Sequence, residues 1–173
     1  MTYHHYIHGT ISSETVEELL EVMNTVILNN SFLKIYINSE GGCITSEYIL
    51  RDLIESYGHK TELIASGFIG SAAFSLFFMT KKVRKKILPT TEGMCHQVYR
   101  EGHILENNKV RQTAHVTASN EVLRKTRTAE LLQLIELNEA QLTKFDEGED
   151  IYFTFPDLLK ILEKQTVRKK KTV

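Results

Sequence analysis

Apolar and polar positions along this 173-residue chain fall into short blocks that alternate between strand-like and helix-like periodicity. Tyr3 to His8 alternates and stops at Gly9, which predicts a first strand. Ser12 and Ser13 then offer a helix cap, and Glu14, Glu17 and Glu18 suit the positive end of a helix dipole. Val16, Leu19, Leu20, Met23, Val26 and Ile27 recur at helical spacing and predict a core-facing stripe that Asn29-Asn30 ends. Leu33 to Asn38 reads as the second strand and runs straight into Ser39-Glu40-Gly41-Gly42. Thr45 or Ser46 opens a second helix with Leu50, Leu53, Ile54 and Tyr57 on its buried face, and Gly58 closes it.

The stretch from Leu63 to Met79 repeats the theme in its most apolar form: a strand, a turn with Gly67 and Gly70, and a helix beginning near Ser71. Small residues (Ser71, Ala72, Ala73) permit close packing before the bulk of Phe74, Phe77 and Phe78. Three strand-helix alternations predict α/β layering with parallel strands. A serine at a helix start stands in positive potential, beside amides without intrahelical partners. That setting suits an oxyanion. It equally suits plain capping, for which serine is a favoured residue.

Beyond Met79, Lys81 to Lys86 reads as a solvated turn and strand edge, closed by Ile87-Leu88-Pro89. Gly93 to Gln97 is a short apolar approach to His96. From Asn107 to about Lys144 no proline or glycine occurs, and apolar periodicity sharpens only after Val122, which predicts a projecting helix. An acidic loop, Asp146 to Asp150, precedes a last helix that opens around Thr154, Pro156 and Asp157 and buries Leu158, Leu159, Ile161 and Leu162. No internal repeat or linker divides the chain. The expectation is one domain over residues 3–164 and a basic, disordered tail over 165–173.

Composition narrows the function classes. A net charge of −1, with 42% hydrophobic and 25% charged residues, gives no reason to expect a nucleic acid or a membrane surface as partner. No apolar run is long enough for a membrane span, and the N-terminus lacks a signal-peptide pattern. Cys43 and Cys95 are too few for a disulfide framework and are expected as buried, reduced thiols in a cytoplasmic protein. His4, His5 and His8 have no acidic or cysteine ligand nearby in sequence, so no metal is expected. Neither the Walker nor the dinucleotide glycine pattern occurs, and no cofactor is expected.

Taken in order, Asn38-Ser39-Glu40-Gly41-Gly42, Gly67 through Ser71, and Met94-Cys95-His96-Gln97 resemble the ClpP family of serine peptidases. The family's strand ending in Asn-Ser-Pro-Gly-Gly, its helix-start serine and its Met-x-His-Gln segment occur here in that order. Gly42 and Ser71 are 29 residues apart and Ser71 and His96 are 25 apart, both similar to the family's spacing. Asp150-Ile151-Tyr152-Phe153-Thr154 resembles the segment that carries the family's acid. The resemblance covers about Tyr3 to Leu162. It implies a ClpP/crotonase-like α/β fold, a spiral of β-β-α units with a projecting handle helix.

The resemblance also implies a Ser71-His96-Asp150 triad, with the Gly42 and Ala72 amides as oxyanion hole. Such a protein is expected to cleave peptides or unfolded proteins inside a homo-oligomeric ring, a heptamer or double heptamer. Several features depart from the family pattern. Glu40 stands where the family has proline, and Val98 to His103 carries charge in place of small residues. The chain begins almost at the first core strand, without the family's axial segment, so an AAA+ unfoldase is kept as a possible partner and not carried over as an expected one. Two rival readings follow: a catalytically silent ClpP-like subunit with an assembly role, and a crotonase-type protein processing acyl-CoA.

Overall fold

The computed structural model describes residues 1–97 and 125–171. They belong to two compact units, Met1–Cys95 with Asp150–Val173, and His96–Glu149. The first unit holds β1 (Thr2–Ile11), α1 (Ser13–Leu28), β2 (Phe32–Gly42), α2 (Ile44–Ser56), β3 (Thr61–Gly70) and α3 (Ser71–Met79). Then come β4 (Arg84–Ile87) and β5 (Glu92–Cys95). The second unit contributes α4 over 125–134 and α5 (Glu139–Asp146), and the chain returns to the first with β6 (Ile151–Phe153) and α6 (Phe155–Lys171).

The strands form one sheet in the order β1-β2-β3-β5-β6, with β4 also on β3. All pairings are parallel except β5–β6. β4 pairs with the first half of β3 and β5 with its second half, so β3 is the strand around which the sheet is laid. The three leading strands run further than their apolar blocks because irregularities are absorbed at one level. Register slips between His8 and Thr10 on β1–β2 and between Ile37 and Ser39 on β2–β3. Gly9 and Gly67 take positive φ there, of 66° and 73°. Side chains take over where the ladder fails: the Ser39 hydroxyl donates to the Gly9 carbonyl, and Asn38 Oδ1 accepts from the Phe68 amide at 3.0 Å. Backbone groups that the slip takes out of the ladder are therefore satisfied across the kink.

α3 is buried from Ala72 to Met79, the pattern of a helix enclosed on all sides. Phe74 meets Phe78 and Phe153 with ring centroids 4.7 and 5.3 Å away, and Phe77 lies edge-on to Phe78 at 5.0 Å. Its C-terminal carbonyl at Phe78 accepts from Lys85 Nζ at 2.8 Å and from the Gln165 amide at 3.1 Å. One lysine of the basic run therefore closes a buried helix where only solvated charge was expected.

Two apolar positions assigned to the α1 stripe lie outside it. Val16, Leu19, Met23 and Val26 are buried, whereas Leu20 and Ile27 are exposed. Steps of three, four and three keep a narrow seam on the sheet, and Leu20 and Ile27 flank it. Asn30, at φ 49°, ends this helix in the left-handed conformation, with the Ser31 amide reaching back to Val26 O at 3.0 Å. On β1 the histidines split by strand alternation: His4 and His8 face solvent, and His5 is buried. Burial holds the His5 imidazole below its ordinary pKa, against an opposing pull from Glu18.

In the second unit, the uninterrupted helix expected to about Lys144 breaks at 135–138. The cause is a capping box. Asn138 Oδ1 accepts from the Gln141 amide at 2.9 Å, and Gln141 Oε1 accepts from the Asn138 amide at 3.1 Å. Expectations on 107–124, the first part of that helix, and on Val98 to His103 lie outside the described residues. α6 continues through Lys171, so the basic stretch from Arg168 is helical where a disordered tail was expected. Among the described residues, no helix is long and apolar enough to cross a membrane.

Candidate active site

Ser71 is the first residue of α3, directly after the last residue of β3. The cap position belongs to Gly70, and no side chain caps the helix. Capping therefore does not account for this serine. Its backbone is unusual: φ is +50°, and among the described residues only Asn30 and Ser71 combine a side chain with positive φ. Asparagine visits that region readily, but serine there costs about 1–2 kcal/mol. The strain persists because both flanks are fixed. Gly70 is locked into the sheet opposite Met94, and Ala72 onward is buried. A strand that turns sharply into a helix through a strained serine presents its hydroxyl outward from the turn.

The end of β2 lies against this turn. A Cβ on Gly41 would sit 2.7 Å from Gly70 O, 2.8 Å from the Ala72 amide nitrogen and 2.8 Å from Ser71 Cβ, and φ at Gly41 is +105°. Only glycine permits that approach. Gly42, at φ +144°, is blocked on its other side, where a Cβ would lie 2.4 Å from Ile11 O. The amides flanking Gly42 are committed: Gly41 N–H donates to Ser39 Oγ at 3.0 Å and Cys43 N–H to Ile11 O at 2.8 Å. Glu40 sits on the solvent side, where its Oε1 accepts from Thr10 Oγ1 at 2.7 Å. That bond is the main reason its carboxyl is held below the usual range. Hydrogen bonds of Ser39 and Glu40 to Gly9 and Thr10 thus tie this loop to β1.

Cys43 corrects an expectation. It is exposed, and hydrogen bonds from Ser46 and Thr45 at the start of α2 lower its thiol pKa. Cys95 is buried as expected, and burial pushes its thiol up to about 12, with the Asp150 charge adding to the effect.

His96, half-buried, follows Cys95 at the end of β5 and opens the second unit. Asp150 precedes Ile151 at the start of β6, and its carboxylate is exposed. The β5–β6 ladder pairs Gly93 with Phe153, Met94 with Tyr152 and Cys95 with Ile151. Ile151 and Phe153 point into the core, Phe153 onto Phe74, and fix the backbone beside Asp150. Asp146 ends α5, which closes through Gly148 at φ +83° with the Glu149 amide bonded to Lys144 O at 2.9 Å. That closure is a defined helix end. Sequence reasoning gave no separate role to Gly41, Ser39 or Thr10, and it expected both Tyr152 and Phe153 to pack beside Asp150, whereas Phe153 is buried and Tyr152 is exposed. Only the adjacent glycines hinted at Gly41.

The Clp protease family model matches residues 2–141. The chain is 28% identical over 93 residues to the ATP-dependent Clp protease proteolytic subunit 3 of Rhizobium johnstonii and 25% identical over 93 residues to that of Rhizobium etli. Each match covers 53% of this chain, which spans about half (48%) of each relative's length. ClpP1 from Listeria monocytogenes superposes with a TM-score of 0.66 at 18% identity, and a mutant of it, asparagine to aspartate, with 0.65 at 20%. Both cover 91% of this chain and 86% of theirs, a likeness of fold. The fold is thus the mixed α/β architecture of ClpP structures, and the chain belongs to the Clp protease family.

Proposed function

We propose that the chain is a serine endopeptidase of the ClpP type, with Ser71 as nucleophile, His96 as general base and Asp150 as the acid that orients it. The observation that carries this reading is the strained Ser71 at +50° with the backbone of Gly41 pressed against it. A protein retains such strain where the surrounding structure enforces it, and nucleophile turns are where it is found. The β5–β6 register lends support to the other two residues. His96 and Asp150 each stand one residue beyond the pair Cys95 and Ile151.

The chemistry follows from what acyl transfer needs. Neutral His96 takes the Ser71 proton as Oγ adds to the scissile carbonyl carbon. The carbonyl π-electrons move onto oxygen, and the amides of Gly42 and Ala72 donate to that oxyanion. Collapse breaks the C–N bond, and the imidazolium returns its proton to the leaving amine. Water, deprotonated by the same imidazole, then releases the acyl group and restores Ser71. Asp150 stabilises the imidazolium and its tautomer throughout. The substrates would be peptides or unfolded segments, and the working form a homo-oligomeric ring of cytoplasmic location.

Hydrolysis of a short fluorogenic peptide tests the proposal. The wild-type chain should cleave it, and Ser71→Ala and His96→Ala should not. Equal cleavage by either variant would refute the assignment. A folded wild type that cleaves nothing, even as an assembled ring, would favour the silent-subunit reading.

A further inference from the structure

We propose that Tyr152 is a positioning residue that holds the Asp150 carboxylate ready for the imidazole. The inference rests on the reading of Asp150 as the triad acid. On β6, alternation sends Ile151 and Phe153 into the core and leaves Asp150 and Tyr152 on one outward side, two residues apart. The Tyr152 phenol donates to Asp150 Oδ2 at 3.3 Å.

Geometry explains why such a partner is needed. Asp150 is exposed and stands just outside the three-residue strand, so packing fixes its backbone and not its carboxylate. An orienting acid must present one oxygen in a fixed direction to the imidazole N–H. A carboxylate accepts at both oxygens, so a phenol on Oδ2 leaves Oδ1 for that contact. Tyr152 itself is 64% exposed, which leaves little packing role to explain it. Its phenol pKa is raised, first by the charge of Asp150, so it stays protonated and able to donate across the neutral range. The buried Cys95 thiol also responds to the Asp150 charge, which places that charge at the end of the β5–β6 ladder.

The test is a double-mutant cycle on the full chain with Tyr152→Phe, Asp150→Asn and the pair. Two readouts are taken: kcat and KM on a short peptide, and the rate of covalent labelling by a fluorophosphonate. Tyr152→Phe should lower kcat and the labelling rate about three- to tenfold, the scale of one hydrogen bond, with KM and thermal stability unchanged. In the Asp150→Asn background the same change should cost almost nothing, because the tyrosine acts through the carboxylate. Wild-type rates in Tyr152→Phe, faster rates, or an equal fractional loss in both backgrounds would overturn the inference while leaving the triad standing. If Asp150→Asn alone leaves the rates unchanged, the acid assignment falls and this inference falls with it. Labelling that survives Ser71→Ala would sink the nucleophile itself.

Discussion

The turn from β3 into α3 leaves a strand and the start of β6 enters one, and each presents a residue assigned to the chemistry. They are built in opposite ways. At the first, Ser71 is half-buried, strained, and hemmed in by backbone: Gly70 in the sheet, Gly41 against its Cβ, and a wholly buried helix behind it. At the second, Asp150 is exposed on an ordinary backbone and is held by one side-chain bond from Tyr152. The difference teaches where precision is stored. The serine end is fixed by close backbone packing and the acid end by a single side-chain hydrogen bond.

Four predictions test that contrast. Asp150→Asn should cut peptide turnover by about 10⁴-fold, the scale of neutralising a triad acid in place, without moving the melting temperature. A large drop in stability with it would show that Asp150 is structural and would erase the contrast. Asp146→Asn, at the end of α5, should leave turnover at the wild-type level.

Gly41→Ala should lower turnover by about 10²- to 10³-fold, since its Cβ must displace the Ala72 amide, one of the two donors proposed for the oxyanion. Stability should fall as well, because positive φ is lost to alanine at no compensation. Retained activity in this variant would mean that the loop has slack and that the backbone does not set the site.

Ser71→Gly should abolish turnover and yet raise stability by about 1 kcal/mol, which a thermal melt would register as an upward shift. Glycine accepts φ +50° without strain, although its looser unfolded chain offsets part of the gain. Ser71→Ala should be inactive without being stabilised. Equal melting points for the glycine and alanine variants would show that no strain is stored at this turn.

The smallest effect concerns pH. Burial holds the His5 imidazole below its ordinary pKa, so the unfolded chain binds the extra proton first as pH falls. Stability should be full above about pH 6.5 and should decline as pH drops through the window between that value and the folded-state pKa. Glu40 and Asp157, both held low by hydroxyl or amide donors, lose their contributions only at more acid pH. His5→Gln should flatten the slope near pH 6, and denaturant melts at pH 5.5 and 7.5 would measure it. An unchanged slope would assign it to other groups.

The contrast also explains what could be read from the sequence. That Gly42, Ser71 and His96 stand at or just beyond strand ends was legible, because apolar blocks and the glycines that close them are one-dimensional signals. The parallel α/β order was legible for the same reason: each apolar block declares its own period. Gly41 was visible only as half of a glycine pair, because its need for a bare Cα comes from Ser71 and Ala72, thirty residues away in sequence. Thr10 and Ser39 were illegible. They matter through bonds across neighbouring strands that depend on where register slips, and polar residues carry no sign of that. Leu20 and Ile27 misled because apolar character alone does not say which flank of a helix the sheet covers. The break after residue 134 was hidden in a helix-favouring stretch whose Asn138 cap acts locally.

The central claim is that the strained turn presents a working nucleophile, and one measurement addresses it most directly. The folded chain should be treated with a fluorophosphonate, and the intact mass and modified peptide then determined. The account predicts a single adduct per chain, located on Ser71, absent from Ser71→Ala and slowed in Asp150→Asn. An unmodified chain under conditions that label an active serine peptidase, or an adduct on any other residue, would contradict it.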